Sequence, residues 1–487
     1  MLILSILFPV LLGLGILVKR EFKSRTVLLV LTGVGLTVTA ALGMGVVFGG
    51  DKELMLFSFG KNLDFYFHVD SMGKFFAVVV NVVWVLAGFY AFEYMKHEQE
   101  EARFFGFYVM VHGILHGLVF AGGMVTFYLF YELMTLLSVP LILHNRSKDA
   151  IKGGLKYLFY SLFGAYMVLF GLFFLNRFAD SLAFIPGGTL NLSTIAGNET
   201  LMLVVSLSMI IGFGVKAGMF PLHAWLPTAH PVAPAPASAV MSGIIVKMGI
   251  LGMIRVVYYL IGADFIRGTW VQTVWMSLAL VTVFMGSMLA YREKVLKKRL
   301  AYSTVSQASY ILFGLSLLQP AAISGALLHV VFHAVIKSCL FLSAGAIIYK
   351  THKTNADDLR GIGKEMPVVI WCYTFAAAAL IGIPPASGFI SKWYLATGAL
   401  SSGIEIFSWL GPVVLLTSAL LTAGYLLPIT VKGFLPGADF NYRELQNKEP
   451  NLTMLIPLVI LAILAVALGI FPNPLAEYIS TMVNATL

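Results

Sequence analysis

Apolar residues in this chain gather into long, nearly continuous runs, not into the alternation of an amphipathic strand or the one-sided stripe of a soluble helix. Such runs occupy 1–18, 27–48, 71–95, 104–121, 124–143, 155–175 and 201–219 in the first half, and 236–260, 269–290, 303–318, 321–349, 368–400, 408–431 and 452–471 in the second. A helix needs about 20 predominantly apolar residues to cross the hydrocarbon of a bilayer. Strands of a membrane barrel would read as alternating segments of about ten residues, shorter than these and less rich in Leu, Gly and Phe. Only helices then satisfy every backbone group within its own segment. The pattern predicts an all-α polytopic membrane protein of about fourteen transmembrane helices.

Two of the runs are interrupted. In GFGVKAGMFPLHAWLPTAHPVAPAPAS, Gly218 and Pro221 follow Lys216, and the Pro-rich part after Pro231 reads as a surface loop. In GIPPASGFISKWYL, Gly382, Pro384, Pro385 and Gly388 precede Lys392. Gly and Pro end helices at these positions. Broken helices at membrane depth line cavities and ion paths, and a matched pair of them marks a repeat-built transporter. Helices 7 and 12 are therefore expected to be broken.

Composition agrees with this class: 59% of the 487 residues are hydrophobic and 11% charged, against roughly 45–50% and 25% in soluble domains. The net charge of +9 reads as topology. Basic residues crowd the connections after alternate runs, for example Lys19, Arg20, Lys23 and Arg25, or Arg292, Lys294, Lys297, Lys298 and Arg299. Connections on the other side hold only Lys52, Lys61, Arg177 and Arg267. The positive-inside rule then places both termini outside the cytoplasm. The first run lacks a preceding basic segment and reads as retained, not as a cleaved signal peptide. Cys339 and Cys372 stand alone, and no Cys-x-x-Cys pair, Walker sequence or dinucleotide fingerprint occurs. No metal or cofactor is expected in this chain, so the energy source lies in another chain or an ion gradient.

Setting aside the basic residues of the connections leaves six: Lys74, Lys216, Lys247, Arg255, Lys337 and Lys392. Lys74 and Arg255 are near run ends and are expected to snorkel to the interface. The other four lie deeper, where a cation costs at least about 2.5–3.5 kcal/mol, and are candidate ion-path residues. Glu132, in FYLFYELMTLLSVPL, is the acid near the middle of a span, with Lys216 a candidate partner. His329, His333 and Lys337 recur at i, i+4 and i+8 and share one helical face, as a proton relay requires. His112 and His116 are also four apart; local hydrogen bonding is preferred for them over heme or quinone binding.

At these residues the sequence resembles the proton-conducting membrane transporter family: the antiporter-like subunits of respiratory complex I, of group 4 membrane-bound hydrogenases and of Mrp cation/proton antiporters. The resemblance is carried by YELMTLLSVPL, KAGMFPLHAWLPTAHPVAPAPASAVMSGIIVKMG, LKKRLAYSTVSQASY, HAVIKSCLFLSAGAI, LRGIGKEMP and GIPPASGFISKWYL. It implies two inverted five-helix repeats, over 104–260 and 261–431, after an N-terminal three-helix segment 1–103 and before a C-terminal loop and last span in 432–487. It further implies that Glu132 and Lys216 gate the channel, that Lys247 connects two half-channels, and that Lys392 is the terminal residue. Val295 stands where many relatives carry an acid.

The expected function is proton translocation from Lys247 through His329, His333 and Lys337 to Lys392, in one membrane subunit of a multisubunit redox-driven pump with other antiporter-like subunits and a redox or hydrogenase-like module. The alternative is a D-type subunit of an Mrp sodium/proton antiporter, and a third reading is a heme- or quinone-binding redox subunit. With a single central carboxylate the chain suits protons better than sodium, which needs oxygen ligands. The expected location is the cell membrane.

Overall fold

The computed structural model describes residues 1–60, 62–437, 440–441 and 445–486; Lys61 lies outside them. In chain order the helices are α1 (Leu2–Lys19), α2 (Arg25–Phe48), α3 (Ser71–Tyr94), α4 (Glu101–Val119), α5 (Met124–Ile142), α6 (Lys148–Phe178), α7 (Glu199–Ala217) and α8 (Leu226–Val232). There follow α9 (Ala235–Ile261), α10 (Trp270–Arg292), α11 (Leu296–Ser316), α12 (Pro320–Thr351), α13 (Pro367–Ile381), α14 (Ser387–Leu400), α15 (Glu405–Phe434), α16 (Leu452–Ile470) and α17 (Asn473–Asn484).

Among the described residues, 12 helices are long and apolar enough to cross a membrane. Two predicted runs fall outside that set for chemical reasons. Helix α11 begins with Lys297, Lys298 and Arg299 and carries Ser303, Thr304, Ser306, Gln307 and Ser309, which dilute its apolar character. The run 368–400 is divided at Gly382 into α13 and α14, of 15 and 14 residues. Helices α8 and α17 lie outside the apolar runs, as does an antiparallel hairpin of β1 (Glu53–Ser58) and β2 (Asp64–His68), with a register shift at Met55/Phe57.

The centre of the molecule is α9, whose apolar stretch is wholly buried, and α12, which is nearly so; α1 is mostly peripheral. Lipid offers no hydrophobic drive for helices to associate, so small residues at the crossings let backbones approach. A Cβ added at Gly164 would lie 2.4 Å from the Gly212 carbonyl oxygen, which fixes α6 against α7. Gly249 does the same for α9 and α7, with a Cβ there 2.8 Å from Phe213 O and 2.9 Å from Lys216 Cβ.

The connections separate into two faces. On the basic face of the first half, arginine side chains join the loops: Arg25 meets Glu101 at 2.9 Å and the Phe92 carbonyl, and Arg103 and Arg146 share Glu100 at 2.5 and 2.8 Å. On the opposite face the hairpin and neighbouring loops are joined through backbone hydrogen bonds, with His68 N donating to Phe120 O (3.0 Å), Phe184 N to Gly122 O (2.9 Å) and Thr189 N to Leu260 O (2.8 Å).

Candidate functional site

The first helix break positions Lys216. Helix α7 stops because Gly218 adopts φ +78, a left-handed conformation that closes the helix with its N–H on the Gly214 and Val215 carbonyls. Lys216 is buried in the last turn, and its Nζ donates to Thr135 Oγ1 (2.9 Å), Ser161 Oγ (2.8 Å) and Tyr157 OH (3.1 Å). The Tyr157 ring lies 4.4 Å from the ammonium. Three hydroxyls from α5 and α6 thus hold this cation. Glu132, one turn before Thr135, is within electrostatic reach of Lys216 but, among the described residues, forms no ion pair with it, and its Oε1 is buried without a partner. The structure therefore holds this pair apart. Glu132 lies between the outward-facing Leu129 and Leu136 on the same helical face.

A second cluster of buried titratable groups lies where α9 meets α12. Helix α9 widens into π-helical turns over Met241–Ile245 and Arg255–Ile261, a distortion frequent at functional sites. Lys247 follows the first of these turns, fully buried, and its Nζ donates to Ser242 O at 2.6 Å and meets His333 Nδ1 at 2.5 Å. The His333 ring stacks on His329 at 5.8 Å. Four residues beyond His333 in the other direction, Lys337 Nζ donates to Leu300 O at 3.0 Å. Along α12 the order is therefore Lys337, then His333 with Lys247, then His329. The expected path set Lys337 beside Lys392; the contacts instead put His329 at that end and Lys337 at the other.

The second break positions Lys392. Helix α13 ends at Gly382 (φ +94), and α14 resumes at Ser387 beyond Pro384 and Pro385. The last carbonyls of a helix lack intrahelical partners, and Lys392 Nζ supplies them, donating to Leu380 O (2.6 Å) and Ile381 O (2.9 Å). Pro221 lies in the corresponding gap after α7. Lys392 is linked back to α12: its neighbour Ser391 meets His329 Nδ1 at 2.9 Å, and its ammonium lies 5.2 Å from the Tyr310 ring, which stacks on His329 at 5.6 Å.

Other expected groups fall away from this row. His112 and His116 each place Nε2 2.9 Å from the single oxygen Asn81 Oδ1, and His116 Nδ1 lies 3.2 Å from Ser5 O, an arrangement of local hydrogen bonding. Lys74 pairs with Asp51 at 2.6 Å. Arg255 does not snorkel: it is 1% exposed and grips Asp70 through two hydrogen bonds of 2.5 and 2.7 Å.

The structure adds residues that spacing did not single out. His230, in α8, is fully buried with neither ring nitrogen partnered among the described residues, stacks on Phe341 at 4.7 Å, and is within electrostatic reach of Lys297 and Lys337. Above it opens a vestibule of about 190 Å³ lined by Glu98, Pro231, Ala233 and Lys297. Lys297 Nζ donates there to Ala233 O at 2.5 Å. Burial pushes the Glu98 carboxyl above its ordinary range, against the opposing pull of Lys297. His230 stood within the quoted Pro-rich motif, but its burial is a property of the fold.

Residues 121–422 match the family described as NADH:quinone oxidoreductase/Mrp antiporter, and residues 56–105 match that described as NADH-ubiquinone oxidoreductase (complex I), chain 5 N-terminus. Hydrogenase-4 component B of Escherichia coli (strain K12) is 32% identical over 87% of this chain, which spans 65% of that relative's length. NADH-quinone oxidoreductase subunit N of Desulforudis audaxviator is 30% identical, covering 83% of this chain and 81% of the relative. The D-type subunit of the Na(+)/H(+) antiporter of Alkalihalophilus pseudofirmus is 28% identical over 98% of this chain and 95% of its own. A chain of the Mrp complex from Dietzia sp. DQ12-45-1b superposes with TM-score 0.85 at 21% identity, covering 100% of this chain and 97% of that one.

Proposed function

The chain belongs to the family of antiporter-like membrane subunits of complex I, membrane hydrogenases and Mrp antiporters, and on that footing we propose that it carries protons across the cell membrane within a redox-driven pump of complex I or membrane-bound hydrogenase type. The observation that supports this reading is the buried row of Lys337, Lys247, His333, His329 and Lys392, in which hydrogen bonds and stacked rings connect groups able to take up and release protons. Protons enter at the Glu98 and Lys297 vestibule and reach Lys337 by way of His230. They pass Lys247, His333 and His329 and leave at Lys392, with water completing the gaps.

Glu132 and Lys216 act as the switch. A carboxylate brought against Lys216 stabilises its ammonium in the hydroxyl cage, and withdrawal favours passing the proton on. The outward position of Glu132 puts its movement under the control of a neighbouring subunit, which this reading takes to be another antiporter-like chain. In this reading the chain has fourteen spans, counting α11 and the broken pair α13 and α14. The basic face points to the cytoplasm, both termini lie outside it, and 104–260 and 261–431 form the inverted repeats. Glu132→Gln and Lys216→Ala are expected to abolish proton uptake into vesicles containing the assembled complex; full uptake by either variant would refute the switch.

A second reading, as the D-type subunit of an Mrp sodium/proton antiporter, draws support from the near-complete mutual coverage with the Alkalihalophilus pseudofirmus relative, against 65% coverage of the hydrogenase component. Copurification decides between the two: iron–sulfur or hydrogenase-like subunits accompany the chain in the first, and antiporter subunits alone in the second.

A further inference from the structure

On the basic face, the ends of α1 and α4 and the loop after α5 enclose a cavity of about 370 Å³ lined by Arg20, Arg103 and Arg146, with Glu100 among them and Ile16, Leu17 and Phe107 as its apolar floor. One carboxylate serves two of the arginines, since Glu100 pairs with both Arg103 and Arg146. Among the described residues, no acid pairs with Arg20, and Arg103 Nε is a buried donor without a partner. The cavity therefore holds two more positive than negative side chains and has donor capacity left over.

Its backbone is unusual in the same place. Among the described residues, six non-glycine residues have positive φ, and three of them line this cavity: Arg20 (φ 50), Glu100 (φ 56) and Arg146 (φ 52). Side chains rarely adopt this conformation, and residues held in it concentrate at functional and ligand-binding positions. Here it turns three charged side chains toward one space at the ends of three spans.

The outer wall tells what kind of anion fits. Leu7, Leu11, Leu14 and Val18 are exposed on one face of α1, and Leu17, one turn beyond Leu14, borders the cavity. An acyl chain lying along this stripe brings a headgroup phosphate to the arginines, and basic pockets between spans are where anionic headgroups bind.

We propose that this cavity is a binding site for an anionic phospholipid, with its phosphate held by Arg20, Arg103 and Arg146 and an acyl chain along the exposed face of α1. The test is native mass spectrometry of the delipidated full chain with added phosphatidylglycerol or phosphatidylcholine, and with inorganic phosphate as competitor. Phosphatidylglycerol is expected to be retained, phosphatidylcholine not, and millimolar phosphate should not displace it. Arg20→Gln should weaken retention about fivefold, and adding Arg146→Gln should weaken it about as much again, following the contribution of one basic side chain near an anionic surface. Glu100→Gln should strengthen retention, and Lys350→Gln, on the same face in the second half, should leave it unchanged. Equal retention of phosphatidylcholine, undiminished retention by Arg20→Gln, or displacement by phosphate alone would overturn the assignment. Arg20 is exposed and, among the described residues, pairs with no acid, so Arg20→Gln carries the test even if the double variant is unstable in lipid-free detergent.

Discussion

Lys247 Nζ and His333 Nδ1 meet at 2.5 Å in a fully buried contact that joins the middle of α9 to the middle of α12. With the ammonium donating, His333 accepts at Nδ1 and carries its own hydrogen at Nε2, so one proton lies between two groups that can each hold it. His333→Gln keeps a hydrogen-bond acceptor but cannot relay a proton. Proton uptake in vesicles should fall at least about a hundredfold, the lower end of the scale of losing one positioned acid–base group, while the thermal midpoint stays near that of the parent. A variant that pumps at the parent rate would remove His333 from the path.

The cage around Lys216 should contribute to stability as well as to transport. Hydrogen bonds to a charged group contribute about 1.5–3 kcal/mol each, so Thr135→Val combined with Ser161→Ala should lower the thermal midpoint measurably. Tyr157→Phe retains the ring 4.4 Å from the ammonium and should have the smaller effect. The ranking is read from thermal unfolding of the three proteins; a larger loss in Tyr157→Phe would contradict it.

Gly249 is where the helix of Lys247 presses on the helix of Lys216. A valine there would need space already held by Phe213 O and Lys216 Cβ, and overpacking of this kind destabilises by about 1–3 kcal/mol. Gly249→Val should therefore reduce both stability and transport, whereas Gly45→Val, on the peripheral α2, should spare transport. Equal transport losses in the two variants would mean that the Gly249 contact has no special role.

Asp70 and Arg255 form a buried pair at the start of α3. Removing one partner of such a pair typically costs about 3–5 kcal/mol, and Asp70→Asn should show a loss of that order in denaturant-dependent unfolding. Burial raises the Asp70 carboxyl, but the Arg255 charge and hydrogen bonds outweigh it and hold the carboxyl below the usual aspartate range. A depressed pKa contributes stability above the unfolded value and loses it as the pH falls. The gap between parent and Asp70→Asn should thus be constant near neutrality and shrink below about pH 3.9; a gap that instead narrows on the alkaline side would contradict the pairing.

Helical periodicity is enough to put His329, His333 and Lys337 on one face of α12, and Gly and Pro are enough to place the ends of α7 and α13. Neither can reveal partners distant in the chain. Thr135, Tyr157 and Ser161 meet Lys216 only because α5, α6 and α7 pack together. Arg255 departs from its expected place because depth along its own run says nothing of Asp70, which approaches from another helix. The hairpin over 53–68 is invisible to the apolar pattern because it lies between runs and owes its position to backbone pairing with loops that spacing does not bring together. Lys392 stands beside its break as spacing suggests, yet the reason for its position, two helix-end carbonyls without other donors, is visible only in three dimensions.

The two faces of the first half are fastened by exposed ion pairs and by backbone bonds in different proportions, and ionic strength distinguishes between them. Contacts among arginines and carboxylates weaken as salt shortens the Debye length to about 8 Å at physiological ionic strength and about 3 Å at 1 M, whereas amide-to-carbonyl bonds do not depend on screening. High salt should therefore loosen the arginine-joined side more than the hairpin side, where the exposed Lys74–Asp51 pair weakens but the backbone bonds and the buried grip of Arg255 on Asp70 remain.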